Sequence, residues 1–283
     1  MVYRPIRKKD LSRTQNNTTM GYDISYHPIS EQEIKTWYFD ALEDESIIEK
    51  RTQEHEIDEF YVEKYVDTIN VAKQTAPTDY FDKTHGYYIA VIQGFFRTFF
   101  YTRGSAFSFL IQDKPQFKAY TTPWEDILQV KVPNPIVNSF VENYSSGVYM
   151  TAANVVQLLD DYQSKEEVKK ELDDFYSHNR INVFLKALTA AKENNLGLLE
   201  ATEVIEPNPM DLNESTCYSN LFNCEPEGAL LYQEAMFEQL RELEGNQDLN
   251  DNEILEKTER VVITPENIVP EKKKGFWQRL FGK

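Results

Sequence analysis

One aromatic, almost unbroken apolar run constrains this chain more than any other feature. After Asp79 come Tyr80, Phe81, Tyr87, Tyr88, Ile89, Val91, Ile92, Phe95, Phe96, Phe99 and Phe100. The spacing predicts a single helix, capped by Thr78 or Asp79 and apolar nearly all round. Such a helix has no solvent face and belongs at the buried centre of an α-rich domain. Its rings are also suited to lining a ligand pocket. It is not a membrane span, because Gln93 and Arg97 interrupt the stretch Gly86–Tyr101. Nowhere does the chain hold about 18 uninterrupted apolar residues.

The remaining pattern is mostly helical. Tyr22–His27 alternates and is rich in β-formers, so it reads as a short strand ended by Pro28. Ser30 with Glu33 forms a capping box for a helix to about Ala41. Residues Glu54–Lys73 carry apolar side chains at three- and four-residue steps (Ile57, Phe60, Tyr61, Tyr65, Ile69). Helices are expected over Trp124–Val130, Pro135–Tyr144, Thr151–Tyr162, Ser164–Tyr176, Asn182–Asn194 and Glu225–Leu243. Thr151 is the expected N-cap of the third, and Ser164 with Glu167 forms a capping box for the fourth. Asn195-Leu196-Gly197 stops the helix before it. Ala106–Ile111 and Val261–Thr264 read as strands, and Leu198–Pro209 as a packed irregular segment. The expected class is α+β, mostly α with minor β. Residues 1–19 read as a flexible basic leader, 20–264 as a globular body of one domain or two lobes meeting near 115–135, and 265–283 as a linker and basic amphipathic tail.

Charge divides the chain in the same way. The formal net charge is −17. Residues 1–19 hold five Lys or Arg against one Asp, and 271–283 hold five against one Glu, which leaves −25 on 20–270. A body this acidic repels nucleic acid and anionic lipid and favours a basic protein partner. In the tail, Phe276, Trp277, Leu280 and Phe281 share one helical face, ringed by Lys273, Lys274 and Arg279. That pattern suits weak peripheral contact with a membrane or docking on a protein groove; packing on the chain's own acidic body, or simple disorder, is the third reading.

Catalytic and metal signatures fall short. His55-Glu56-Ile57-Asp58-Glu59 lacks the second histidine of a helical zinc site, so a solvated helix face is the simpler reading. Asp248, Asn250, Asn252 and Glu259 sit at calcium-loop spacing, but Glu253 replaces the turn-forming glycine. An acidic loop running into a short helix explains them better. Glu33-Ile34-Lys35 and Glu167-Val168-Lys169 match part of a nuclease site at a frequency expected by chance. No phosphate loop, dinucleotide fingerprint or nucleophile elbow is present, so no cofactor is expected. A hydrolytic site, if one exists, is best sought at His27 and His85 with Asp79 or Asp82 as partner. Cys217 and Cys224 are too few for a disulfide framework and read as reduced structural thiols, which points to the cytoplasm.

The stretch Met20-Gly21-Tyr22-Asp23-Ile24-Ser25-Tyr26-His27-Pro28-Ile29 resembles the openings of bacterial cytoplasmic proteins that include immunity proteins of polymorphic and type VI toxins. Gly197-Leu198-Leu199-Glu200-Ala201-Thr202-Glu203-Val204 is similar to segments of the same families. The resemblance implies a non-enzymatic protein that neutralises a basic toxin by direct binding. The alternatives are an enzyme with a site near His27 and His85, and a scaffold recruited by its tail to the inner membrane.

Overall fold

The computed structural model describes residues 22–76, 79, 81–128, 147–245, 250–251 and 253–254. They fall in two compact units divided between Gln233 and Glu234. The leader, the helix expected over Pro135–Tyr144, the strand expected over Val261–Thr264 and the amphipathic tail lie outside the described residues.

The fold is α+β. In the first unit a five-stranded mixed sheet has the order β3-β4-β1-β2-β7. Its strands are β1 (Asp23–Ile29), β2 (Phe99–Arg103), β3 (Tyr149–Met150), β4 (Gly197–Thr202) and β7 (Cys224–Glu225). A second ladder joins β5 (Ile205–Glu206) to β6 (Thr216–Cys217). The helices are α1 (Glu31–Ile34), α2 (Asp40–Glu43), α3 (Ser46–Glu54), α4 (Glu59–Ala72), α5 (Phe81–Phe96), α6 (Phe107–Asp113), α7 (Trp124–Leu128), α8 (Ala152–Ser164), α9 (Glu166–Phe175), α10 (Arg180–Glu193) and α11 (Glu227–Glu244). A π-helical turn over Lys35–Phe39 bridges α1 and α2.

β1 pairs antiparallel with β2 on one side and β4 on the other, Tyr26 facing Phe100 and Glu200. Successive side chains of a strand point to opposite faces, so β1 serves two cores. Ile24 and Tyr26 join Phe100, Leu198, Val155, Leu158, Phe184 and Leu188 beneath α8 and α10. Ser25 and His27 face α5, where His27 meets Gln93. The helix expected to be buried is indeed so from Gly86 to Phe95.

Several local expectations are corrected. β1 runs through Pro28 to Ile29. Its pairing with β2 stops at Tyr26, so the missing Pro28 N–H falls where no strand needs a donor. The Pro28 carbonyl accepts from Arg97 Nη1 at 3.0 Å and Gln93 Nε2 at 3.3 Å instead. The aromatic helix ends at Phe96, and Phe99 and Phe100 belong to β2. Gln93 Nε2 also donates to the Thr98 carbonyl at 3.2 Å, in the turn between helix and strand. The helix expected from Glu54 breaks at Glu56, whose φ is 51°, and restarts with Asp58 as N-cap.

Ala106–Ile111 is not a strand: α6 begins at Phe107 because the Glu200 carboxylate accepts its first free N–H groups. Ser164 does not cap α9 but ends α8, donating to the Asp160 carbonyl at 2.7 Å. The segment expected to be irregular, Leu198–Pro209, instead contributes most of β4, Gly197–Thr202, which is fully buried. A strand covered on both faces has no alternation to reveal it. The capping boxes at Ser30 and Thr151 form as expected. Asn195, at φ 52°, takes the left-handed turn that stops α10.

In the second unit, Arg241 of α11 pairs with Asp251. Asn250 accepts from the Glu253 N–H at 3.0 Å while the Glu253 carboxylate accepts from the Asn250 N–H at 3.0 Å. This is a capping box opening a short helical segment.

Candidate functional site

His27 sits in a string of hydrogen bonds with the connectivity of a hydrolytic triad. Its Nδ1 lies 2.6 Å from Gln93 Oε1 and its Nε2 2.9 Å from Ser25 Oγ. The Gln93 amide is oriented by donating to the Pro28 and Thr98 carbonyls, so Oε1 must accept from Nδ1–H. Nε2 then accepts from the Ser25 hydroxyl. The imidazole stacks on Phe99 with centroids 5.0 Å apart. The chemistry stops there. His27 is 0% exposed and Ser25 1% exposed, so neither atom can meet a substrate. A neutral amide stands where a triad has a carboxylate, and it cannot stabilise an imidazolium. Burial drives the His27 pKa down to about 3. The string ties β1 to α5.

His85 is placed elsewhere. Its Nδ1 bonds the Tyr38 hydroxyl, and burial holds its pKa at about 4 against the opposing charge of Asp79. Gln93, the partner of His27, lies eight residues further along α5, about 12 Å of helix rise. The two histidines therefore share no site. Asp79 is exposed and accepts from the Ala76 N–H at 3.3 Å. The side chain of Asp82 lies outside the described residues.

The other face of the sheet holds a polar group that the sequence reading missed. Glu200, 1% exposed, accepts from the N–H groups of Phe107 and Ser108 at the start of α6. Beside it the Tyr26 and Tyr176 hydroxyls lie 2.6 Å apart, and Tyr26 donates to the Ser105 carbonyl at 2.8 Å. Backbone dipoles, not a cation, hold the carboxylate, and burial lifts its pKa to about 7. The one available signal was a lone Glu inside Gly197–Thr202.

Where the ladder of β1 ends, carboxylates accumulate at a more open position. Arg103 Nη1 pairs with Asp23 Oδ1 at 2.6 Å, and the Tyr101 hydroxyl donates to the same oxygen at 2.7 Å. Glu203 and Glu206 crowd this pair. Burial first, then the charges of Glu206 and Asp23, push the Glu203 carboxyl up to about 7; burial and Asp23 raise Glu206 as well. Arg103 is thus paired with one carboxylate and feels the charge of two more, and its guanidinium carbon lies 4.8 Å from the Tyr232 ring centroid.

Among the described residues no group of three His, Cys, Asp or Glu side chains is arranged to hold a metal ion. Of the calcium-loop candidates, Asn250 uses its side-chain oxygen as a helix cap; Asp248, Asn252 and Glu259 lie outside the described residues, as do Lys273, Lys274, Phe276, Trp277, Arg279, Leu280 and Phe281. Glu33 is bound by Arg97 Nη1 at 2.9 Å. Cys217 and Cys224 are free, half-buried thiols packed with Phe99, Tyr101 and Ile205. Burial pushes the Cys217 pKa up to about 11 and Cys224 higher still, so both are poor nucleophiles.

Comparison with known proteins returned no match to a protein-family model, a curated protein or a solved structure.

Proposed function

We propose that this chain is a non-enzymatic binding protein that captures a basic protein partner, as an immunity protein captures a toxin. The observation that carries this reading is the gathering of Glu203 and Glu206 beside the Asp23–Arg103 ion pair. A carboxyl kept near pKa 7 by burial and by like-charged neighbours is stabilised by an arriving guanidinium or ammonium. The −25 of residues 20–270 extends the same preference over long range. The best-formed catalytic string, Ser25–His27–Gln93, is sealed and supports no competing hydrolase reading. No helix among the described residues is long and apolar enough to cross a membrane, and the proposed site of action is the cytoplasm.

The test is co-purification with the protein encoded by the neighbouring gene, using wild type and a Glu203→Gln, Glu206→Gln double variant. A basic partner that binds wild type and associates at least several-fold more slowly with the variant supports the reading. An acidic partner, or an unchanged association rate, contradicts it.

A further inference from the structure

A different surface carries the rigid apolar contacts that a basic partner would need. Phe222 is 89% exposed, yet its turn is pinned. Asn220 Oδ1 accepts from the Phe222 N–H at 3.0 Å, and the Asn223 N–H closes back on the Asn220 carbonyl at 3.0 Å. Asn223 Nδ2 donates to the Gly94 carbonyl at 2.9 Å, at the C-terminal end of α5. The preceding Ser219, fully buried, donates to the Val91 carbonyl at 2.6 Å. The backbone is fixed while the ring is left in water.

The outer face of α4 reaches the same end of α5. The Tyr61 ring lies 5.9 Å from Phe95 and 5.2 Å from Phe60, which is itself 56% exposed. Around Phe60 the exposed residues Asp58, Glu59, Glu63 and Asp67 carry four negative charges. The one cation of α4, Lys64, is folded over the Phe60 ring at 4.8 Å. Aromatic anchors on a fixed backbone within a charged rim are the anatomy of an interface hot spot. A pre-ordered anchor loses little freedom on binding.

We infer that Phe222 and Phe60, with the acidic face of α4, form the docking surface for a basic protein, Phe222 entering an apolar pocket flanked by Lys or Arg. This rests on the binding function proposed above. Charge complementarity selects the occupant: a second copy of this chain would set acidic face against acidic face, and an anionic lipid surface would be repelled.

The test places the photo-crosslinking residue benzoylphenylalanine in the full chain at position 222, at position 206 and, as a control, at position 156 on α8. Adducts formed in living cells are identified by mass. A basic protein trapped at 222 and absent at 156 is the expected result. The trapped protein is then purified and titrated with wild type and Phe222→Ala, whose circular dichroism should match because the ring makes no core contact. The expected loss is at least about thirtyfold in Kd, about 2 kcal/mol at 1.4 kcal/mol per tenfold. A basic adduct at 206 with none at 222, or an unchanged Kd for Phe222→Ala, overturns this surface and leaves the binding function standing. Basic adducts at neither position overturn both. A second copy of the chain or an acidic protein trapped at 222 overturns the surface.

Discussion

Replacing Glu200 with glutamine should alter how stability depends on pH, and the size of the effect follows from the geometry. The carboxyl is held by the Phe107 and Ser108 N–H groups with no cation at hand, and its pKa rises from the ordinary 4.5 to about 7 on folding. Below pH 4.5 both folded and unfolded chains carry the proton, and the folded state keeps its full advantage. Between 4.5 and 7 the unfolded carboxyl ionises while the folded one resists, so stability falls as pH rises. By about one unit above the folded pKa both are ionised and the loss is complete. At 1.36 kcal/mol per pH unit the gap is worth roughly 3 kcal/mol. Glutamine does not titrate. The difference in unfolding free energy, Glu200→Gln minus wild type, should therefore move by roughly 3 kcal/mol in favour of the variant, most of it between pH 5 and pH 8. His27, His85 and Glu203 also titrate, but identically in both proteins, so they cancel in the difference. Urea unfolding at four pH values, followed by fluorescence of Trp37 and Trp124, measures it. A difference that stays constant with pH refutes the buried-carboxylate reasoning.

Other outcomes follow from single contacts. His27→Ala should cost about 3 kcal/mol or more, from the cavity beside Phe99 and the loss of partners for Gln93 and Ser25. Because folding lowers the His27 pKa to about 3, wild type loses stability as pH falls from 6.5 towards 3; the variant should show a shallower loss in urea titrations over that range. Gly228→Ala should cost more than about 2 kcal/mol in thermal or urea unfolding, since a Cβ there would stand 1.7 Å from the Tyr101 carbonyl oxygen, which belongs to a central strand. Ser30→Ala should cost about 1 kcal/mol through loss of its capping bond, measured by the same unfolding curves.

Features written in local chemistry were legible in the sequence. Ser30, Thr151 and Asn195 act within four residues of themselves, and the apolar positions of α5 announce a buried helix without any knowledge of its neighbours. Features decided by distant partners were not. β4 looks irregular because both of its faces are covered, and β2 looks like more helix because Phe99 and Phe100 continue the aromatic run. α6 looks like a strand because its N-terminal donors are satisfied by Glu200, some 90 residues later in the chain. The same limit applies to the site. His27 drew attention as a catalytic candidate, but its solvent access depends on α5, Phe99 and Gln93 closing over it. The Asp23, Glu203 and Glu206 cluster is assembled from the first strand and the residues that follow β4, and no local pattern joins them. Phe222 was invisible because exposure of an aromatic side chain is a property of the folded surface.

The measurement that bears most directly on capture of a basic partner is the salt dependence of its association rate. Stopped-flow or surface-based kinetics with the purified partner should be recorded at low salt and at about 0.5 M, where the Debye length is well under 10 Å. Steering by a body of −25 should make association about tenfold or more slower at the higher salt, with dissociation much less affected. An association rate that does not change with salt would contradict electrostatic capture.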